Sequence, residues 1–145
     1  MKIRKGIAAI FILLSVVLGV IFYTNIDNPA TLLDYFKKSY YGQFGPLAIC
    51  VELLTAGYYL FKGHKKSNFA LALFASTALV DIILNLTGLF TSSVPHYAMV
   101  LFSICALISL WIAFSNAFNL GKITLVSALI SIVLGSAIEF YFNYF

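Results

Sequence analysis

Three acidic residues, Glu52, Asp81 and Glu139, lie inside strongly apolar segments of this 145-residue chain. A carboxylate in the bilayer interior costs about 2.5 to 3.5 kcal/mol on insertion scales, and no Lys or Arg lies beside these acids to neutralise them. Helix rise places Glu52 and Asp81 at similar depths, roughly 10 and 13 Å below the same edge. Since two facing carboxyls share a proton, this pair could carry a proton or bind a cationic group.

Polar residues accompany these acids on the same helical faces. Thr77, Asp81 and Asn85 are spaced i, i+4, i+8, and Thr55 follows Glu52 at i+3. A structural interpretation competes with the site: both acids stay protonated and hydrogen-bond to Asn85, Thr55 or a backbone carbonyl, which holds the bundle together. A third interpretation is that a partner subunit supplies the missing base.

The last apolar segment carries a ladder of small residues. Ser127, Ser131, Gly135 and Glu139 step by four, and small residues at this spacing let helices approach closely. The ladder therefore directs Glu139 towards a neighbouring helix, near the predicted outer interface. His96 is a second candidate at that interface, where it could line the mouth of a cavity.

Other reactive residue types do not form a known motif. Cys50 and Cys105 are isolated and belong to no C-x-x-C pair, so we expect buried small side chains, although a bond between them is geometrically possible. His64 lies in a basic turn, and haem ligation across a bundle would need His within the spans. We therefore predict no catalytic residue, no metal site and no cofactor.

The amino-acid composition indicates which kind of structure holds these three acids in position. Hydrophobic residues make up 62% of the chain and charged residues 10%, too few charges to cover a soluble globule. A soluble enzyme or a nucleic-acid-binding domain is therefore excluded, and lipid is the expected surrounding. We predict a single all-α domain, 1–145, that forms a polytopic transmembrane bundle. Its five spans are 6–23, 45–61, 68–90, 97–118 and 120–142. The alternative is four spans, because the AFNLGK junction before the fifth is very short.

Loop charges predict the orientation. Seven of the nine basic residues fall on one side: Lys2, Arg4, Lys5, Lys62, Lys65, Lys66 and Lys122. This places the N-terminus in the cytoplasm and the C-terminus outside, with the bacterial inner membrane as the expected location. The outer loop, 24–44, carries a helix-start signal at Asp27 or Asn28 followed by Pro29. We expect an interfacial helix at 29–41, and a simple tether is the alternative.

One stretch, 44–84, resembles the small DoxX-like membrane proteins. The resemblance rests on a span with a Glu, a Gly beside basic residues at its end and an Ala-rich span after it. The matching positions are Pro46, Glu52, Gly57, Gly63, Lys65 and Ala70. The fifth apolar stretch and the end of the first span depart from the family pattern. The resemblance implies a compact helical bundle, often an accessory to membrane redox or stress-response systems, and no catalytic mechanism.

Two functions from different classes follow from these patterns. The first is an accessory, assembly or interaction subunit, because the chain is small and has neither a soluble domain nor a catalytic motif. The second is a small proton- or cation-coupled transporter or channel that uses Glu52 and Asp81. Five helices are few to surround a pore, so a pore would need several copies of the chain. In both cases we expect a homo-oligomer or a membrane protein partner. A membrane enzyme ranks third, since no nucleophile or metal site is found.

Overall fold

The computed structural model describes residues 1–144, which form helices and no strand. Phe145, the last residue of the predicted domain, lies outside the described residues. The helices are α1 (Lys2–Thr24), α2 (Lys38–Tyr41), α3 (Gly45–Lys62), α4 (Ser67–Leu86), α5 (His96–Ser115) and α6 (Leu125–Tyr144). Five spans are long and apolar enough to cross a membrane, and the short α2 leads into the second of them. The prediction of a polytopic all-α bundle with five spans is confirmed.

Helix α4 is the centre of the bundle. It packs against α3, α5 and α6, while α1 packs mainly against α3. Four alanines of α4 are buried, and their small side chains let the neighbouring helices approach: Ala70, Ala72, Ala75 and Ala78. Phe102 of α5 contacts both Phe74 of α4 and Phe22 of α1 through ring–ring packing, which fills the centre of the core.

Large apolar side chains cover the outside of the bundle. Leu13 on α1, Leu107 on α5 and Val133 on α6 are each more than 60% exposed. The two least buried candidate spans are those of α6 and α1, with 17% and 28% of the span buried. Such a surface suits lipid and would be unfavourable in water, because each exposed apolar side chain keeps its hydration cost.

The predicted clustering of basic residues corresponds to one end of the bundle. The start of α1, the α3–α4 turn and the α5–α6 link all lie at this end. Gly63 ends α3 in the left-handed conformation, with φ of 70°, and a Cβ atom there would meet the Arg4 guanidinium at 2.6 Å. Glycine is thus required by the backbone conformation, whereas the flexible Arg4 side chain could move aside for a Cβ atom. Which end faces the cytoplasm stays a prediction.

Four helix ends differ clearly from the predicted span boundaries. The first helix begins at Lys2 instead of residue 6. The third helix ends at Leu86 instead of residue 90, because Gly88 turns the chain at φ of 73° and Ser92 bonds back to α4. The fourth helix ends at Ser115 instead of residue 118, where Asn116 adopts a left-handed φ of 50°. The fifth begins at Leu125 instead of residue 120. The junction thus has nine residues, 116–124, long enough for a five-span arrangement.

The interfacial helix predicted at 29–41 is not continuous. A 3-10 turn at Leu32–Phe36 is followed by α2 and by a second 3-10 turn at Gly42–Phe44. Lys37 is extended, with ψ of 145°, and this interrupts the helix. The first turn begins after Thr31, whose hydroxyl donates to Asp34 at 2.6 Å, so the cap lies downstream of the predicted one.

Candidate functional site: a buried carboxyl cluster

The carboxyls of Asp81 on α4 and Glu139 on α6 lie close enough to interact with each other. Both are buried, with 2% and 1% of the residue exposed. No described donor reaches Oε1 of Glu139. Because a carboxylate has no hydrogen to donate, two such oxygens can bond only when a proton lies between them. The arrangement therefore suits a carboxyl pair that shares a proton.

Close packing of α6 on α4 brings this pair together. Gly135, one turn before Glu139, lies so close to α4 that a Cβ atom would approach the Thr77 backbone nitrogen to 2.7 Å. Ser131, one turn earlier, is also buried, and its hydroxyl donates to the Ala128 carbonyl of its own helix at 2.7 Å. The predicted role of this ladder in helix packing agrees with these contacts. Ser127 differs, since it is half-buried and bonds to Thr124 at the start of α6.

Glu52 joins the cluster from α3 through Thr77. The Thr77 hydroxyl lies 3.1 Å from Oε1 of Glu52 and 3.0 Å from the Leu73 carbonyl. The Thr77 hydroxyl has one hydrogen, which it donates to Glu52 or to Leu73; a protonated Glu52 would instead be able to donate to Thr77. Oε2 of Glu52 is buried without a described partner, and Glu52 lies close enough to Glu139 for charge repulsion. The three acids therefore share one polar interior among α3, α4 and α6.

The loop between α4 and α5 closes the cluster at the end of the bundle opposite the basic residues. The Ser92 hydroxyl lies 2.7 and 2.8 Å from the two carboxyl oxygens of Asp81 and accepts a bond from the Val94 amide. Asn85 accepts a bond from the Ser92 amide at 3.0 Å, and its amide also reaches the Met99 sulfur at 3.8 Å. Asn85 therefore holds the loop in place, and Ser92 is the loop residue that contacts the acid.

A surface hollow of about 340 Å³ lies directly outside this closure. Its lining includes Thr91 and Ser93, which flank Ser92, and Asn143 of α6. The Asn143 amide donates to Oε2 of Glu139 at 3.1 Å and to the Glu139 carbonyl at 2.9 Å. One side chain thus separates Glu139 from the hollow.

The structure changes how the predicted site residues are grouped. Glu139, predicted as a separate residue of the outer interface, is the partner of Asp81, while Glu52 reaches α4 through Thr77. Thr55 does not belong to the cluster: it is exposed, and its hydroxyl donates to the Val51 carbonyl of its own helix at 2.8 Å. The i+3 spacing from Glu52 turns it towards the outside of the bundle.

The remaining candidates lie apart from the cluster. His96 is exposed at the start of α5 and forms none of the cluster's hydrogen bonds. Cys50 and Cys105 are buried and free, so the possible bond between them is not formed. Within residues 1–144, no three His, Cys, Asp or Glu side chains are grouped so as to hold a metal ion.

Two residues of the cluster were not predicted. Asn143 follows Glu139 at i+4, and that spacing could have identified it. Ser92 gave no such signal, because the loop that contains it was assigned partly to the third span. The stretch that resembles DoxX-like proteins, 44–84, supplies Glu52, Thr77 and Asp81, but α6 and the loop complete the cluster.

No protein-family model, curated protein or solved structure matches this chain.

Proposed function

We propose that this chain is a small multi-pass membrane protein that takes up and releases protons at the carboxyl cluster, as part of a proton-coupled transporter or channel. The observation that carries the proposal is the contact between Asp81 and Glu139, in which a 99%-buried carboxyl has an oxygen without a described donor. A buried carboxylate without a basic partner is costly, so the cluster gains most from binding a proton. A cation is the alternative occupant.

The route to the cluster supports protons in particular. The Asn143 side chain lines the hollow and bonds to Glu139, so it lies between the two. Ser92 covers Asp81 at the same end of the bundle. Water in the hollow could therefore exchange protons with the pair after a small movement of the loop. Glu52 on α3 lies close enough to Glu139 for their charges to interact, so a proton bound at one of these carboxyls affects proton binding at the other.

Proton exchange should be measured on the protein reconstituted in vesicles, with a pH-sensitive dye in the lumen. The variants Asp81→Asn and Glu139→Gln remove the shared proton and should reduce proton flux by tenfold or more. The double variant Asp27→Asn with Asp34→Asn is the matched control, because both of these acids lie in the outer loop. Proton flux that persists in Asp81→Asn with Glu139→Gln would refute the proposed function.

A second candidate, an accessory or assembly subunit, is favoured by the exposure of α6. This helix supplies Glu139, yet only 17% of its span is buried, so another subunit could cover the rest. Association with a second copy of this chain or with a membrane partner would also add helices around the five spans. Purification in mild detergent should then yield a stoichiometric membrane partner; a monodisperse homo-oligomer would count against the accessory role and suit the transporter. The bacterial inner membrane is the location we propose for either function.

A further inference from the structure

A second cavity lies at the basic end of the bundle, far along the helices from the carboxyl cluster. Its volume is about 350 Å³, and it lies between the α3–α4 turn, the start of α4 and the α5–α6 link. Lys65 and Lys66 line it from the first link and Lys122 from the second, so segments distant in sequence bring three lysines together. Phe69 and Ile123 add an apolar wall.

The three lysines have no acidic counterpart at this end. Of the five acidic residues, two lie in the outer loop and three lie in the cluster between the helices. The ion pair found in the described part of the chain joins Lys37 to Asp34, also in the outer loop. The cavity therefore has an uncompensated positive charge, which favours an anionic ligand.

Buried hydrogen bonds hold the cavity in shape. Asn68, which is 2% exposed, donates to Oδ1 of Asn116 at 3.0 Å and to the Gly121 carbonyl at 2.6 Å. The same Asn116 oxygen accepts a bond from the Gly121 amide at 3.2 Å. These bonds fix the link just before Lys122 against the start of α4. The fold thus sets where the backbones of these lysines lie.

We propose that this cavity binds the phosphate group of an anionic membrane phospholipid. Three lysines provide the charge for a phosphate, and the cavity lies at the helix ends, where headgroups are found in a bilayer. Leu125 and Val126, at the adjacent start of α6, are 77% and 65% exposed, so an acyl chain can run along them from the headgroup. A free phosphate ion has the same headgroup chemistry but makes no use of this apolar surface.

The test is binding of phosphatidylglycerol to the purified protein in phosphatidylcholine nanodiscs, followed by native mass spectrometry. A lysine near an anionic surface contributes about fivefold in affinity, so Lys65→Gln with Lys66→Gln and Lys122→Gln should weaken phosphatidylglycerol binding on the order of 100-fold. The matched control is Lys2→Gln with Lys5→Gln and Lys62→Gln. It removes three charges from the same end, outside the cavity, and should weaken binding much less.

Two results would overturn the proposal. If the two triple variants lost phosphatidylglycerol affinity equally, binding would depend on the total positive charge at the basic end of the bundle and not on the cavity. Displacement of phosphatidylglycerol by millimolar glycerol phosphate would identify a site for a soluble phosphate. Helix content by circular dichroism should be unchanged in both variants, because the substituted lysine side chains are exposed. If the cavity variant loses helix content, Lys122→Gln alone should still weaken binding about fivefold, and unchanged binding would overturn the proposal.

Discussion

Adding one methyl group at Gly135 should separate the two helices that form the carboxyl pair. In Gly135→Ala, the new Cβ would lie 2.7 Å from the Thr77 backbone nitrogen and 3.0 Å from the Ser76 Cβ atom. Backbone cannot swing aside as a flexible side chain does, so α6 must move away by about 0.7 Å to restore an ordinary contact. Overpacking of this kind costs about 1 to 3 kcal/mol of unfolding free energy. The same movement should weaken the bond between Asp81 and Glu139.

Gly6→Ala is the matched control, because Gly6 lies on a helix and nothing would come within 4 Å of its Cβ. The gain in helix propensity from Gly to Ala is common to both variants and cancels in the comparison. Unfolding in dodecyl sulfate, followed by circular dichroism, should therefore rank Gly135→Ala below Gly6→Ala by about 1 to 3 kcal/mol. Infrared difference spectra should also show a shifted band for the protonated carboxyl in Gly135→Ala alone. Equal stabilities and unchanged spectra would refute the close α4–α6 contact.

Two further predictions concern the outer end. Ser92→Ala removes the hydroxyl that contacts Asp81, so hydrogen exchange of the 87–94 amides should accelerate about tenfold, whereas Ser93→Ala should leave it almost unchanged. The Lys37 ammonium holds the pKa of Asp34 below its ordinary value, so this pair stabilises the loop above about pH 4 and the effect is lost as pH falls through the lowered pKa. Carboxyl chemical shifts should show a higher pKa for Asp34 in Lys37→Gln, and an unchanged titration would refute the pairing.

The outer loop illustrates a limit of sequence patterns near the membrane surface. Asn28 and Pro29 have the residue types that begin a helix, and the following apolar residues have roughly helical spacing. The structure forms two 3-10 turns and a single turn of helix instead. Gln43 explains part of this outcome, because its side chain bonds to the Asp27 amide at 2.9 Å and to the Ser39 carbonyl at 3.1 Å. Such a contact between residues 16 positions apart cannot be read from local periodicity.

The short link between α5 and α6 shows a similar dependence on distant residues. Asn119 and Gly121 are residue types that favour turns, and both have positive φ, but the turn begins earlier at Asn116. Asn116 can adopt its left-handed conformation because its side chain is held by Asn68, 48 positions away. Local sequence thus indicated a turn, and the tertiary contact determined its length.

Sequence alone determined the fold class, the number of long helices and the unusual position of three acids in apolar segments. Hydrophobic runs of bilayer length and a scarcity of charge are local properties, so they can be counted without a structure. Tertiary structure decided which acids meet. Glu139 pairs with Asp81 because Gly135 allows α6 to approach α4 at Thr77, and Ser92 joins them because the loop folds back. Spacing gives the face and the approximate depth of a residue, but which helix faces it depends on how the whole bundle packs.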